Sequence, residues 1–427
     1  MSAHDPIKDA MAPIHRVVAR RKVFYIPGYD PIHPRRYREL YRKEGAAQAA
    51  ISDYHLALSP KTGGGRYGWH VTSRVQGVPV ETDVEVLIWS DIVRTSMAAT
   101  IPATYAQLAV TAWTYITSGA LRRLMWLRKG PVIAALYPVG MLVGQALLAL
   151  ALGAMVAGLV IWAANAVLGL VGWSLGVVQP IIRWAIILAL GAVTLRWFKA
   201  QDRRFYAYYL MHDFAFAARW GGANPPALEE RMAEFAATIA GALTQDYDEV
   251  LVVGHSSGAH LGVSILADLI RARRVKLKGP ALGFLTLGQV VPMLSFLPDA
   301  RRLRADLAYL SVQPKVTWID VTAPGDGCAF ALCDPVAVSG VAPPDQRWPL
   351  VISAAFTQTL SPAKWKALRW RFFRLHFQYL CAFDRPGDYD YFQITAGPQT
   401  LAQRYEGRAP SKSRIDVAAS KYTSMAA

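Results

Sequence analysis

The sequence has few cysteines and no segment of the kind that directs secretion. Its three cysteines, Cys328, Cys333 and Cys381, are too few for a disulfide framework, and no CxxC pair indicates a zinc or redox site. The first residues, MSAHDPIKDAMAPIHRVVARR, contain no apolar stretch that could serve as a secretory signal. These absences favour a reducing compartment, and we expect the N-terminus to lie in the cytoplasm.

Charge is almost absent from one long stretch. Between Pro131 and Leu195 the only charged side chain is Arg183. Hydrophobic residues make up 53% of the 427 residues, more apolar material than a soluble core of this size normally holds. Since about 20 apolar residues cross a bilayer, the stretch is long enough for two spans joined by a turn within residues 163–180. We therefore predict a transmembrane helical hairpin.

Basic residues flank this hairpin on both sides: Arg122, Arg123, Arg128 and Lys129 before it, and Arg196, Lys199, Arg203 and Arg204 after it. By the positive-inside rule both ends lie in the cytoplasm, and we expect both chain termini there. The formal net charge of +16 then favours an anionic lipid surface. No basic and aromatic nucleic-acid-binding module is present, so no nucleic-acid partner is predicted. A buried helical hairpin within a soluble protein is the alternative.

Strand and helix patterns on both sides of the hairpin predict an α/β fold. Lys22–Pro31 is typical of a buried strand that ends at a Pro-Gly turn, and Val84–Arg94 of a strand followed by a helix. Residues 52–78 give no firm pattern. After the hairpin come a helix at Leu228–Leu243 and strands in VLVV, LGFLTL, VTWIDV and PLVIS. This alternation favours a mostly parallel sheet flanked by helices.

A sheet with strands from both sides of the hairpin requires both sides to share one compartment, which an even number of crossings allows. The predicted organisation is an N-terminal lead (1–20), the first part of the α/β domain (21–95), an amphipathic juxtamembrane helix (96–130), the transmembrane hairpin (131–198), the second part of the domain (199–408) and a disordered tail (409–427).

The stretch VLVVGHSSGAHLG places Ser256 between Gly254 and Gly258, where a buried strand meets an amphipathic helix. A serine in a sharp strand-to-helix turn has a strained backbone, and small residues two positions away prevent clashes. The turn lifts the hydroxyl away from the sheet, and the helix directs its N-terminal N–H groups toward it. This pattern predicts Ser256 as a nucleophile; a structural serine in a Gly-rich turn is the alternative.

This stretch resembles the nucleophile elbow of serine hydrolases with the α/β-hydrolase fold, the lipase and esterase group. The resemblance implies that an acid and then a histidine follow the serine along the chain. Among the nine histidines, only His376 follows the candidate acids, which makes it the expected base. Asp326, in the turn TAPGDG after a predicted strand, is the favoured acid, and Asp320 and Asp334 are its rivals.

The resemblance also implies an oxyanion hole. One N–H donor is expected from Ser257, the residue after the nucleophile, and another from the loop after an early strand, where Gly28 and Tyr29 are the candidates. The family commonly has a histidine where Pro27 stands, and an ordinary turn is the alternative there. His255 and His260 lack the spacing of a zinc-binding helix, so neither a metal nor a cofactor is predicted.

These features imply a membrane-anchored enzyme that cleaves carboxylic esters or thioesters through an acyl-enzyme, with lipid or long-chain acyl substrates favoured by the location. A scaffold that keeps the fold without the chemistry is the main alternative. A transporter is less favoured because Arg183 is the single charge within the apolar stretch. The sequence leaves the oligomeric state open.

Overall fold

The computed structural model describes residues 17–61, 63–98, 100–276 and 278–426, and the chain forms two compact units. The first unit combines the chain up to Val93 with the chain from Ala223 onward, and the second unit is Arg94–Gly222.

The strands are β1 Arg20–Ile26, β2 His55–Pro60, β3 Gly68–Val75, β4 Val78–Val86, β5 Glu249–His255, β6 Ala281–Leu287, β7 Thr317–Thr322 and β8 Leu350–Ser353. The helices are α1 Arg35–Ser52, α2 Ser90–Ser96, α3 Ile101–Thr117, α4 Ala120–Leu127, α5 Lys129–Gly169, α6 Gln179–Ala200, α7 Asp202–Phe205, α8 Ala207–Arg219, α9 Pro226–Ala242, α10 Gly258–Arg271, α11 Val291–Ser295, α12 Arg301–Ser311, α13 Pro335–Val338, α14 Phe356–Thr359, α15 Pro362–Leu368, α16 Phe372–His376, α17 Tyr391–Ala396 and α18 Leu401–Arg404.

One sheet of eight strands, in the order β2-β3-β4-β1-β5-β6-β7-β8, organises the first unit. All neighbours from β4 to β8 in this order are parallel, while β3 pairs antiparallel with β2 and β4. The central strand β5 is buried along its whole length, as expected for a parallel strand covered on both faces. The predicted α/β class with a mostly parallel sheet is confirmed.

The parallel direction brings the carboxyl ends of β1, β5, β6, β7 and β8 to the same edge of the sheet. The loops that leave this edge contain Gly28 after β1, Ser256 after β5, Gly288 after β6 and Asp326 after β7. In open α/β sheets, functional sites form at this edge because side chains from separate loops converge there.

Strands β2 and β3 lie within residues 52–78, where no firm pattern is visible in the sequence. In β3 the buried residues alternate with exposed ones, and Trp69 and Val71 face the core while Thr72 and Arg74 are exposed. Trp69 packs on Tyr41 of α1, with ring centroids 5.6 Å apart. Polar residues on the exposed face weaken the apolar signal of such an edge hairpin, which hides it from pattern reading.

The second unit contains α5 and α6, the two helices that are long and apolar enough to cross a membrane among the described residues. They pack closely, since a Cβ on Gly153 of α5 would lie 2.9 Å from Cα of Ile187 in α6. The turn between them falls within the predicted residues 163–180.

The boundary after the hairpin differs from the predicted residue 199. Helix α8 belongs to the second unit, where Tyr208, Met211 and Ala215 form a buried cluster with Leu142 of α5. Apolar residues of RFYAYYLMHDFAFAARW therefore pack against helices α3 and α5, and the α/β unit resumes at Ala223.

The tail predicted to be disordered is instead packed on the first unit, so that prediction was wrong. The N–H of Ser411 donates to the carbonyl of Val351 at 2.9 Å, and that of Ile415 to Leu332 at 2.7 Å. Ala419 is 4% exposed. Backbone hydrogen bonds to the rest of the fold order this polar segment, and they leave no signal in its composition.

Candidate active site

Ser256 lies at the turn from β5 to α10 with φ at +56°, a left-handed conformation that is uncommon for residues other than glycine. Its N–H donates to the carbonyl of Leu287 at 2.9 Å, and its carbonyl accepts from the N–H of Ala259 at 3.1 Å. These bonds hold the strained residue in place. The side chain is partly exposed, while its neighbours His255 and Ser257 are buried.

The two elbow glycines allow the strand and the helix to approach each other closely. A Cβ on Gly254 would lie 2.6 Å from the carbonyl oxygen of Gly258, and a Cβ on Gly258 would overlap the carbonyl of Ile26 in the neighbouring strand. Side chains at these positions would push the helix away from the sheet. The two glycines therefore have the steric role that the sequence pattern predicts.

His376 and Asp326 form a buried hydrogen-bonded pair. Nδ1 of His376 donates to Oδ2 of Asp326 at 2.7 Å, because the ionised carboxylate can only accept. This bond selects the tautomer in which Nε2 carries a lone pair. The imidazole is therefore oriented to accept a proton at Nε2.

Further hydrogen bonds keep Asp326 ionised. Burial by itself would raise the pKa of this carboxyl group, but His376 and donors from Tyr379 and Cys328 hold the pKa below its ordinary value. The Tyr379 hydroxyl donates to Oδ2 at 3.0 Å, and the N–H of Cys328 donates to Oδ1 at 2.9 Å. A carboxylate held in this way stabilises an imidazolium without taking its proton.

The His376–Asp326 pair is held in position by three further residues, Tyr379, His255 and Gly288. The sequence did not indicate this role for any of them. Tyr379 also accepts from the N–H of Ala323 at 3.0 Å, which links it to the end of β7. Nε2 of His255 donates to the carbonyl of His376 at 3.0 Å, and burial lowers the pKa of His255 to about 3, so this histidine is neutral. At Gly288, φ is +55° and a Cβ would lie 3.1 Å from Cε1 of His376. No local motif marks any of the three.

Ser256 and His376 lie at the same edge of the sheet. The carbonyl that accepts from Ser256 belongs to Leu287, and the next residue, Gly288, is directly against the His376 ring. The ring of His255, which precedes the serine, has its centroid 4.9 Å from that of His376. Within the described chain the Ser256 hydroxyl makes no hydrogen bond. In the absence of substrate, the hydrogen bond between a nucleophile and its base is often long, and it shortens only when substrate binds.

The rival aspartates occupy other positions. Asp320 is fully buried within β7, where it accepts a hydrogen bond from the Thr286 hydroxyl at 2.6 Å. Asp334 caps α13 by accepting from the N–H groups of Val336 and Ala337. Among the described residues, neither is hydrogen-bonded to His376, in contrast to Asp326.

The loop after β1 lies against the serine. A Cβ on Gly28 would be 3.0 Å from Cβ of Ser256 and 3.4 Å from its Oγ, so the absence of a side chain leaves room beside the hydroxyl. The indole N–H of Trp89 donates to the carbonyl of Pro27 at 2.9 Å and fixes the loop. Tyr29 is buried, and its ring packs edge-on against Trp89.

Ser257 precedes α10, so its N–H belongs to the helix start, where backbone donors have no partner within the helix. Both predicted donors therefore lie next to Ser256: Gly28 is close to it in space, and Ser257 follows it in the chain. Tyr29 is a donor candidate through its backbone alone, because its hydroxyl is directed at the Val93 carbonyl, 3.5 Å away.

Within the described part of the chain, one group of side chains could hold a metal ion. Ligand atoms of Asp326, Cys328 and His376 all lie within 4.8 Å of one another. The short bond between Nδ1 and the carboxylate already satisfies two of the three groups. A metal ion bound through Nδ1 would have to replace that proton, so the arrangement favours the hydrogen-bonded pair.

Comparison with known proteins adds no further assignment: no protein-family model, curated protein or solved structure matches the chain.

Proposed function

We propose that the chain is a membrane-anchored serine hydrolase of the α/β-hydrolase type that cleaves carboxylic esters or thioesters through an acyl-enzyme on Ser256. One observation carries the proposal: a serine held at positive φ on a β-to-α turn lies at the same sheet edge as a buried aspartate–histidine pair. A structural turn needs the glycines but has no need of an oriented imidazole beside it.

In the proposed acylation, Oγ of Ser256 attacks the carbonyl carbon while its proton passes to Nε2 of His376. The carbonyl electron pair moves to oxygen, where the N–H groups of Ser257 and of the Gly28–Tyr29 loop stabilise the charge. When the tetrahedral intermediate collapses, the bond to the alcohol or thiol breaks and the leaving group takes the proton from His376. Water then attacks the acyl-enzyme by the same steps, which releases the acid and restores Ser256.

The proposed anchor is the α5–α6 hairpin. In the most apolar parts of residues 129–169 and 176–200, only 22% and 11% of the residues are buried, whereas a core helix of a soluble protein would be mostly buried. Residues 92–201 contain no Asp or Glu, which suits contact with anionic lipids. Esters with long acyl chains partition into bilayers, so they are the proposed substrate class.

The proposed topology has two spans, with the α/β unit and both termini in the cytoplasm. We expect Ser59→Cys and Asp299→Cys to be labelled by an impermeant maleimide from one side of the membrane, and Leu170→Cys from the other. The native cysteines are replaced by serine in all three variants, and an unsubstituted version of this background measures nonspecific labelling. Labelling of residues 59 and 299 from opposite sides would exclude the two-span arrangement.

The direct test of the proposed function is covalent labelling by a fluorophosphonate, which reacts with activated serines. We expect wild-type protein to be labelled on Ser256 and Ser256→Ala to be unlabelled, because the variant lacks the attacking oxygen. Ser257→Ala is the matched control and retains the backbone N–H, so we expect it to be labelled. A folded wild-type protein that resists the probe would favour the scaffold function instead.

A further inference from the structure

A cluster of basic and aromatic residues covers the chain just before His376. We call residues 364–374, KWKALRWRFFR, the basic-aromatic segment. Five of its eleven residues are Lys or Arg, and the chain contains no Asp or Glu from Ser361 to Phe383. Arg369, Trp370, Arg371, Phe372 and Arg374 are all exposed. No acidic residue nearby in the sequence therefore balances the positive charge of this surface.

The aromatic residues of this segment are exposed to an unusual degree. Trp370 is 73% exposed and Phe372 is 46% exposed. The guanidinium group of Arg369 lies 5.6 Å from the centroid of the Trp370 ring. In the described residues, no carboxylate forms an ion pair with a basic side chain of the segment. Exposed tryptophan between arginines is the composition that proteins place at the level of lipid headgroups.

The same segment packs on the loop of the proposed catalytic acid. A Cβ on Gly325 would lie 2.6 Å from the Trp365 ring, and one on Gly327 would lie 3.1 Å from the Phe372 ring. Glycines on both sides of Asp326 therefore let the two aromatic rings cover this loop. The segment continues directly into His376 in α16, so one face of it supports the site while Trp370 and the arginines are exposed.

We propose that the basic-aromatic segment docks on an anionic bilayer surface, with Trp370 and Phe372 among the headgroups and Arg369, Arg371 and Arg374 against lipid phosphates. The idea that this docking brings membrane-borne substrate to the site rests on the proposed function. An acidic protein would pair with the arginines but would leave the exposed indole of Trp370 without an amphipathic environment, which the headgroup layer of a bilayer provides. Each arginine near such a surface strengthens binding about fivefold.

The test is hydrogen–deuterium exchange of the full-length protein in nanodiscs of phosphatidylcholine alone and of phosphatidylcholine mixed with phosphatidylglycerol. We expect slower exchange in residues 366–376 when phosphatidylglycerol is present. The variant Arg369→Gln/Arg371→Gln/Arg374→Gln should weaken docking on the order of 100-fold and remove the lipid dependence. The control variant Arg273→Gln/Arg274→Gln/Lys276→Gln removes the same charge from another exposed surface. We expect it to retain the lipid dependence of exchange in residues 366–376.

Two results would overturn the docking proposal: equal exchange in both nanodiscs, or equal protection by inorganic phosphate in neutral nanodiscs, which would indicate a phosphate site. Fluorophosphonate labelling of the same samples separates the proposals. Labelling of the wild type without lipid-dependent protection would support the proposed enzyme and refute the docking surface. Protection without labelling would support the docking surface and refute the proposed enzyme. For the glutamine variant we expect turnover of a soluble ester within about twofold of wild type, because none of its three changes touches the reacting atoms.

Discussion

Replacing Asp326 by asparagine is expected to lower kcat/KM for an ester substrate by about 10⁴-fold. The asparagine amide is nearly isosteric, but it cannot stabilise an imidazolium. It can also donate to Nδ1 of His376, which would leave the proton on Nε2 and remove the base. Steady-state hydrolysis of a chromogenic ester in detergent measures the effect.

The control for this change is Asp320, the rival acid, which lies in β7 just before the loop that contains Asp326. Asp320→Asn is expected to retain activity within about tenfold, because Asp320 bonds to Thr286 and not to His376. Tyr379→Phe removes one of the donors to Asp326 and should cause an intermediate loss, on the order of tenfold. If Asp320→Asn abolishes turnover while Asp326→Asn remains active, the assignment of the acid is wrong.

The second large effect is on stability: Asp320→Asn is expected to stabilise the α/β unit by about 2 to 4 kcal/mol at pH 7. Burial raises the pKa of Asp320 from 3.8 to about 8, although the hydrogen bond from Thr286 lowers it. Because the folded-state pKa lies above the ordinary value, the native chain binds this proton more tightly than the unfolded chain. Native stability is therefore lost as pH rises from about 4 to about 8.

Asparagine retains an acceptor for Thr286 and has no proton to lose, so the variant should lack this part of the pH dependence. Urea unfolding in detergent at several pH values, followed by tryptophan fluorescence, measures the difference. Asp246→Asn is the control, because the Asp246 side chain is 88% exposed and its removal should change stability by less than about 0.5 kcal/mol. Parallel pH profiles for wild type and Asp320→Asn would contradict a raised pKa for the buried carboxyl group.

Local patterns were sufficient for the elements with strong signals. The apolar stretch predicted α5 and α6, and the buried run VLVV predicted β5, because burial on both faces leaves a continuous apolar segment. The glycines around Ser256 predicted the sharp turn through sterics alone. Elements with weak signals were not predicted from the sequence. Strands β2 and β3 have a polar face, which hides their pattern. The tail is ordered by backbone hydrogen bonds that any polar sequence could form.

The sequence by itself determined the class of the fold, the apolar hairpin and the position of the strained serine, because each depends on residues close together in the chain. Only the tertiary structure decided which aspartate meets His376, and that Tyr379, His255 and Gly288 hold this pair. Asp326 and His376 are 50 residues apart. Their contact depends on how the loops after β7 and β8 pack at one edge of the sheet, which no spacing along the chain encodes.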